Sequence, residues 1–138
     1  MHKKKILLTA ADKERLGKNV DMLMQQSAGK DSPRIQQLAR MLETAELREP
    51  EAMPEDVVTM YSLVCLASTN NDSRQEYRLV YPSQSNAFEN KISVLSGMGL
   101  ALLGSRVGDE IVWEGPRGQR CYTLVAILEQ GCRAPQHA

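Results

Sequence analysis

Six glycines lie within residues 95–118, and their spacing bears on whether this chain carries a phosphate-binding loop. A G-x-G-x-x-G pattern that starts at Gly97 and Gly99 needs a third glycine at the position that Leu102 occupies. No Lys-Ser or Lys-Thr pair follows, as a P-loop would require. Structural roles explain all six glycines: close packing at 97 and 99, a helix end at 104, and turns at 108, 115 and 118.

The side chains that most often move protons or bind metals are scarce in this chain. Its two histidines, His2 and His137, stand at the ends of the sequence, so we expect no histidine in a catalytic triad, proton shuttle or metal site. Ser96 has no neighbouring base to activate it, and it is predicted to cap a helix. The sequence therefore indicates a protein that is not an enzyme, with no catalytic residue, no metal and no cofactor.

One carboxylate allows a second interpretation. Asp31 lies between Lys30 and Ser32, in the polar stretch that separates two predicted helices. A metal-assisted reaction would favour two carboxylates at this point, and the neighbours of Asp31 supply none. Asp31 is therefore predicted to help cap the second helix, while a role in chemistry stays open as the alternative.

Charge and cysteine content describe the expected surroundings of the protein. The 17 basic and 17 acidic residues cancel, but residues 1–50 carry ten basic and seven acidic residues, and residues 51–138 reverse these numbers. This balance favours neither sequence-specific DNA binding nor a membrane surface. The three cysteines form no C-x-x-C pair, and the apolar run Ile6–Leu8 is too short for a signal peptide or a membrane span. We expect a cytoplasmic protein with reduced thiols.

Residues 1–50 are predicted to form a short antiparallel coiled-coil hairpin. Thr9 and Asp12 form a helix-start signal, and Ser32 before Pro33 forms a second one. Helical spacing of apolar residues follows each start, at Leu16, Val20, Leu23 and Met24, and at Ile35, Leu38, Ala39, Leu42 and Ala45. We expect two helices of similar length that project as a finger with residues 30–32 at its tip. The alternative is a helical pair packed flat on a sheet.

Residues 51–138 are predicted to form a five-stranded, mostly antiparallel sheet around one short helix, which makes the chain an α+β protein. Five apolar or alternating stretches are typical of strands: VVTMYSLVCLA from Val57, EYRLVYP, KISVL, EIVWE and QRCYTLVAIL. The short helix begins after Ser96 and ends at Gly104. The predicted core comprises Leu79, Tyr81, Val94, Leu102, Ile111, Trp113, Leu124 and Ile127.

Three motifs together resemble one family of bacterial proteins. These are MPEDVVTM at residues 53–60, LVYP at 79–82 and ALLGSRVGDEIVWE at 101–114. The last motif resembles the C-terminal signature of the transcription elongation factors GreA and GreB, and the first is similar to the narrower Rnk branch, the regulators of nucleoside diphosphate kinase. The resemblance runs from about residue 9 to residue 128. Gly97 departs from it, because the family usually has a proline there.

The resemblance implies an FKBP-like second domain that binds RNA polymerase near its secondary channel. It also implies a docking surface on the C-terminal domain, which we expect at Ser96, Gly97, Met98, Gly99, Arg106 and Asp109. Gre factors promote transcript cleavage through acidic residues at the tip of a long coiled coil. The shorter finger of this chain offers Asp31 alone, so the resemblance favours a regulator that competes with Gre factors without cleaving RNA. Transcript cleavage is the alternative, and a prolyl isomerase is a weaker one, because six aromatic residues spread through the chain make a proline pocket improbable.

Overall fold

The computed structural model describes residues 6–26, 32–71, 73–115 and 118–131. The chain divides into two compact units, Met1–Met53 and Pro54–Ala138. Its helices and strands give a mixed α+β architecture, as the sequence predicts.

The described part of the first unit contains two α-helices and two very short strands, besides one 3₁₀ turn. In chain order these are β1 (Leu7–Leu8), α1 (Ala10–Met24), α2 (Pro33–Glu43) and β2 (Glu46–Leu47). The strands β1 and β2 pair in parallel, with Leu7 opposite Glu46. The sequence does not predict this pairing, since a two-residue strand carries no periodicity. It explains why Leu8 is fully buried although it lies outside both helices.

Both predicted helix starts are confirmed. The Thr9 hydroxyl accepts a hydrogen bond from the Asp12 backbone N–H at 3.1 Å, and Ser32 accepts one from the Ile35 N–H at 3.4 Å. The predicted stripes are buried at their centres, at Leu16, Val20, Ile35, Leu38 and Leu42. α2 ends at Glu43, earlier than predicted, because the chain turns at Thr44 to pair as β2. The antiparallel hairpin remains a prediction.

The described part of the second unit contains a five-stranded sheet and one short α-helix, besides two 3₁₀ turns. The elements are β3 (Leu63–Ser68), β4 (Arg74–Val80), β5 (Lys91–Ser93), α3 (Gly97–Leu102), β6 (Glu110–Gly115) and β7 (Gly118–Glu129). The strand order is β5-β4-β3-β7-β6, and every neighbouring pair is antiparallel except β4 with β5. β3 and β7 also shift register twice, which marks bulges in the central pair.

The stretch Val57–Ser62 is not a strand, although its composition predicts one. Tyr61 has a positive φ of 65°, and the Ser62 side chain accepts a hydrogen bond from the Thr59 N–H at 2.9 Å. These local bonds fold the stretch into a buried irregular segment, so that β3 begins only at Leu63. Burial therefore explains the apolar composition here without a strand.

The sheet and α3 enclose the core of the second unit. Six of the eight residues predicted for it are buried: Leu79, Tyr81, Val94, Leu102, Ile111 and Leu124. The prediction is wrong for Trp113 and Ile127, which are both half-buried. Trp113 lies on β6 at the edge of the sheet, where no further strand covers it. Among the described helices, none combines the length and apolarity needed to span a membrane.

Candidate docking surface

Ser96 occupies the cap position of α3, as the sequence predicts. Its hydroxyl accepts a hydrogen bond from the Gly99 N–H at 2.9 Å and donates one to the Ser93 carbonyl at 2.7 Å. The Ser96 side chain therefore connects the end of β5 to the first turn of the helix. Because both of its hydrogen bonds are structural, Ser96 is a positioning group rather than a nucleophile.

The glycines that flank Met98 allow close packing on two sides. A Cβ atom on Gly99 would lie 2.0 Å from the Ser93 carbonyl oxygen, so only glycine fits there. A Cβ atom on Gly97 would lie 2.9 Å from Cδ1 of Trp113. The half-buried Met98 side chain lies on the turn that these contacts hold in place. The predicted close-packing roles of Gly97 and Gly99 are confirmed.

Arg106 and Asp109 form the turn that leads into β6. The Asp109 carboxylate accepts a hydrogen bond from the Arg106 backbone N–H at 2.9 Å, and the Asp109 N–H donates to the Arg106 carbonyl at the same distance. Asp109 thus stabilises the turn, and the Arg106 guanidinium reaches outward. Among the described residues, no hydrogen bond or ion pair joins this turn to Ser96–Gly99.

Asp56 is a residue of this surface that the sequence analysis misses. Its carboxylate lies 3.2 Å from Nη1 of Arg106, and both side chains are half exposed. The backbone follows the same path, because the Asp56 carbonyl accepts from the Val107 N–H and Val58 pairs with Ser105. The resemblance motifs at residues 53–60 and 101–114 are therefore adjacent in space, which sequence separation conceals.

The end of β7 holds the other side of the segment around Asp56. The Gln130 side-chain amide donates to the Pro54 carbonyl at 2.7 Å and to the Val57 carbonyl at 2.8 Å. Gln130 is itself buried. These two hydrogen bonds hold the backbone on both sides of Asp56, and they thereby help to position the carboxylate that faces Arg106.

Of the three residues predicted at the finger tip, the structure describes only Ser32. Ser32 caps α2, whereas Lys30 and Asp31 lie outside the described residues. The role of Asp31 therefore stays a prediction in both of its forms.

The described residues offer little chemistry for making or breaking bonds. No group of three His, Cys, Asp or Glu residues among them could hold a metal ion. The Cys121 thiol donates a hydrogen bond to the Glu110 carboxylate at 3.3 Å, and this bond raises the pKa of the thiol. Because the thiolate is the reactive form, Cys121 is a weak nucleophile at neutral pH.

Comparison with known proteins assigns the chain to a family. Residues 53–129 match the family model described as "Transcription elongation factor, GreA/GreB, C-term". The "Regulator of nucleoside diphosphate kinase" of Escherichia coli (strain K12) is 36% identical over 129 residues, which cover 94% of this chain and 92% of the relative. "Transcription elongation factor GreA" of Clostridium acetobutylicum is 36% identical over 94 residues, or 68% of this chain and 60% of the relative.

A solved structure supports the same assignment. The "Prokaryotic transcription elongation factor GreA/GreB from Nitrosomonas europaea" superposes with a TM-score of 0.78 at 34% identity, covering 92% of this chain and all of that one. The family model covers most of the second unit, and the regulator and the solved structure match more than nine-tenths of the chain, so the chain belongs to the GreA/GreB family of transcription factors, which includes relatives named as regulators of nucleoside diphosphate kinase.

Proposed function

We propose that this chain is a Rnk-type transcription regulator that binds RNA polymerase near its secondary channel and competes with Gre factors without promoting transcript cleavage. The observation that carries the proposal is the match to a relative named regulator of nucleoside diphosphate kinase over nearly the full length of both chains. The GreA relative is matched over only 60% of its length. Because the match covers nearly all of both chains, we propose that this chain shares the function of the regulator.

The length of the helices supports the absence of cleavage activity. α1 has 15 residues and α2 has 11, so α1 spans only about 22 Å at 1.5 Å per residue. A Gre factor acts through a long coiled coil that carries acidic residues to the polymerase active site. A finger of this length would occupy the entrance of the channel without reaching the reacting RNA.

The docking surface is proposed to be Ser96, Gly97, Met98, Gly99, Arg106 and Asp109, with Asp56 added from the structure. Hydrogen bonds hold its backbone at Ser96, at the Arg106–Asp109 turn and next to Asp56. Binding of a partner would therefore cost little conformational entropy in this surface. An exposed ion pair suits the polar rim of a protein interface, and a half-buried methionine suits its apolar part.

The surface can be tested by reversing the two charges of the Asp56–Arg106 pair. In Asp56→Arg with Arg106→Glu the local ion pair persists with reversed charges, and the Asp109 turn bond is untouched. We expect this variant to fold and to bind core RNA polymerase at least about tenfold more weakly, as lost charge complementarity predicts. The matched control exchanges Glu89 and Lys91, an exposed pair 2.8 Å apart outside this surface. Equal binding by both variants would refute the proposed surface.

The alternative function is transcript cleavage, favoured by the similarity to GreA. In that case Asp31 would help to bring Mg²⁺ to the polymerase active site. A stalled, backtracked elongation complex with labelled RNA separates the two functions. We expect no shortened transcript from this protein, and less cleavage product when it is added together with a Gre factor. Cleavage that disappears in Asp31→Asn would establish the alternative.

A further inference from the structure

Three of the six aromatic residues of the chain lie on one face of the sheet. Ile111 lies opposite Tyr122 in the β6–β7 pair, and Val64 lies opposite Tyr77 in the β3–β4 pair. Because side chains alternate along a strand, Trp113 shares the face of Ile111. The face that carries the buried core near α3 therefore continues into an aromatic end, formed by Tyr77, Trp113 and Tyr122, that stays half exposed.

The rings at this end are ordered by specific contacts. Trp113 and Tyr122 stack with ring centroids 5.3 Å apart and planes inclined by 10°. The indole also lies against the backbone of Gly97, where a side chain would collide with it. Stacked, half-buried rings keep their orientation without a ligand, so binding would cost little side-chain entropy.

Among the residues that the structure describes, Arg120 is the cation that borders these rings. Arg120 lies opposite Trp113 in the β6–β7 pair, and its Nη2 donates to the Tyr122 hydroxyl at 3.4 Å. In the part of the chain that the structure describes, no carboxylate forms an ion pair with Arg120. The guanidinium therefore keeps donor groups for an anionic partner.

We propose that Tyr77, Trp113, Tyr122 and Arg120 form a binding site for an extended peptide segment in which proline stands beside a carboxylate. The flat faces of the rings suit the apolar proline ring, as in other aromatic grooves that bind proline-rich segments. Arg120 suits the carboxylate, for which a guanidinium is the preferred partner. This site extends beyond the proposed docking surface, and it does not depend on polymerase binding.

The surrounding charge favours a peptide over a nucleic acid. A single-stranded nucleic acid would need several cations along its backbone beside the stacking rings. Residues 51–138 carry ten acidic residues against seven basic ones. Among the described residues, the single cation next to the rings provides for one carboxylate rather than for a row of phosphates.

The single tryptophan of the chain supplies a direct measurement, because Trp113 lies in the site. The probe is the acetylated and amidated peptide Ala-Glu-Pro-Pro-Glu-Ala, titrated into the full chain while tryptophan emission is recorded. We expect a saturable change in emission. Replacing both glutamates of the peptide by lysine should weaken binding at least about tenfold, since a charge-assisted hydrogen bond is lost and repulsion is gained. Replacing both prolines by alanine should also weaken it.

Variants of the chain assign the effect to the site. Arg120→Gln should weaken binding about tenfold and remove the preference for glutamate over glutamine in the peptide, as a double-mutant cycle would show. Phe88→Ala is the matched control, because Phe88 is fully exposed on a separate loop and should not alter the affinity. The inference is overturned by an absence of saturable binding up to millimolar peptide, by equal affinity for the lysine peptide, or by tighter binding of a short oligothymidylate.

Discussion

At the scale of single residues, two glycines of similar local structure should respond oppositely to the same change. Gly99→Ala would place a methyl group 2.0 Å from the Ser93 carbonyl oxygen, which belongs to the backbone and cannot move cheaply. We expect a loss of about 3 kcal/mol or more in the free energy of unfolding. Gly17 lies within α1 with no atom within 4 Å of its Cβ position, so Gly17→Ala should stabilise the protein by up to about 1 kcal/mol.

Denaturant unfolding of both variants measures this contrast. The result would contradict the structure if Gly99→Ala kept the midpoint of the unmodified protein, because α3 could then not lie so close to β5. The sequence also predicts the close packing at Gly99. The glycine pattern fits no nucleotide motif, and the remaining physical reason for glycine at that position is a close approach of the backbone.

Asp12 should give the first unit an unusual pH dependence. Burial raises the pKa of the Asp12 carboxyl from 3.8 to about 6. A hydrogen bond between the side chains of Thr9 and Asp12 and the charge of Arg15 act in the opposite direction and lower this pKa. The folded state therefore binds the proton more tightly than the unfolded chain does. The contribution of Asp12 to stability should be largest below pH 4 and should fall as the pH rises to about 6, by up to about 3 kcal/mol.

Comparison with Asp12→Asn isolates this effect from the other carboxylates. We expect the free energy of unfolding of the variant, relative to the unmodified protein, to increase between pH 4 and pH 7. The attraction of a charged Asp12 to the start of α1 acts in the opposite direction and should reduce the size of the change. A relative stability that is constant over this range would show that Asp12 titrates normally in the folded protein.

At the scale of elements, α3 should be essential to the second unit although it has only six residues. Leu102 is fully buried in its last turn, so Leu102→Ala should cost about 2–5 kcal/mol through lost burial and the cavity that remains. Val112→Ala on β6 is the matched control, because Val112 is 42% exposed and its truncation should cost at most about 0.5 kcal/mol. Equal denaturation midpoints for the two variants would mean that α3 is not packed as the structure shows.

Elements with local signals were predictable from the sequence, and those set by distant partners were not. Ser96 and Gly104 identify both ends of α3, because a cap and a positive φ depend on the residue itself. The segment from Val57 to Ser62 has the composition of a strand, yet its hydrogen bonds go to its own side chains, to Leu79 of β4 and to the loop before β6. That outcome depends on residues distant in the sequence.

The same reason explains what the sequence analysis missed at the two surfaces. Asp56 meets Arg106 across 50 residues, and Tyr77 shares a face with Trp113 only through the register of four strands. In the sequence, the scattered positions of the six aromatic residues argue against a proline-binding pocket. The register places three of them on one face, and register cannot be predicted from composition.

At the scale of the whole molecule, the two compact units should differ in their ability to fold alone. Residues 54–138 contain the complete sheet, α3 and a core that includes Leu66 and Leu124. Gln130 also ties the end of β7 to Pro54, so the first residue of this fragment is anchored within the fragment itself. Among the described residues, no strand of the first unit pairs with this sheet.

We therefore expect residues 54–138, expressed alone, to give a monomeric fragment with a single cooperative thermal transition and dispersed amide signals by NMR. Residues 1–53 should be only partly helical by circular dichroism, because two short helices bury little apolar surface. The full chain is the control for both fragments. If residues 54–138 aggregate or melt without cooperativity while the full chain melts cooperatively, the second unit is not an independent domain, and the boundary near Met53 divides the chain without marking a folding unit.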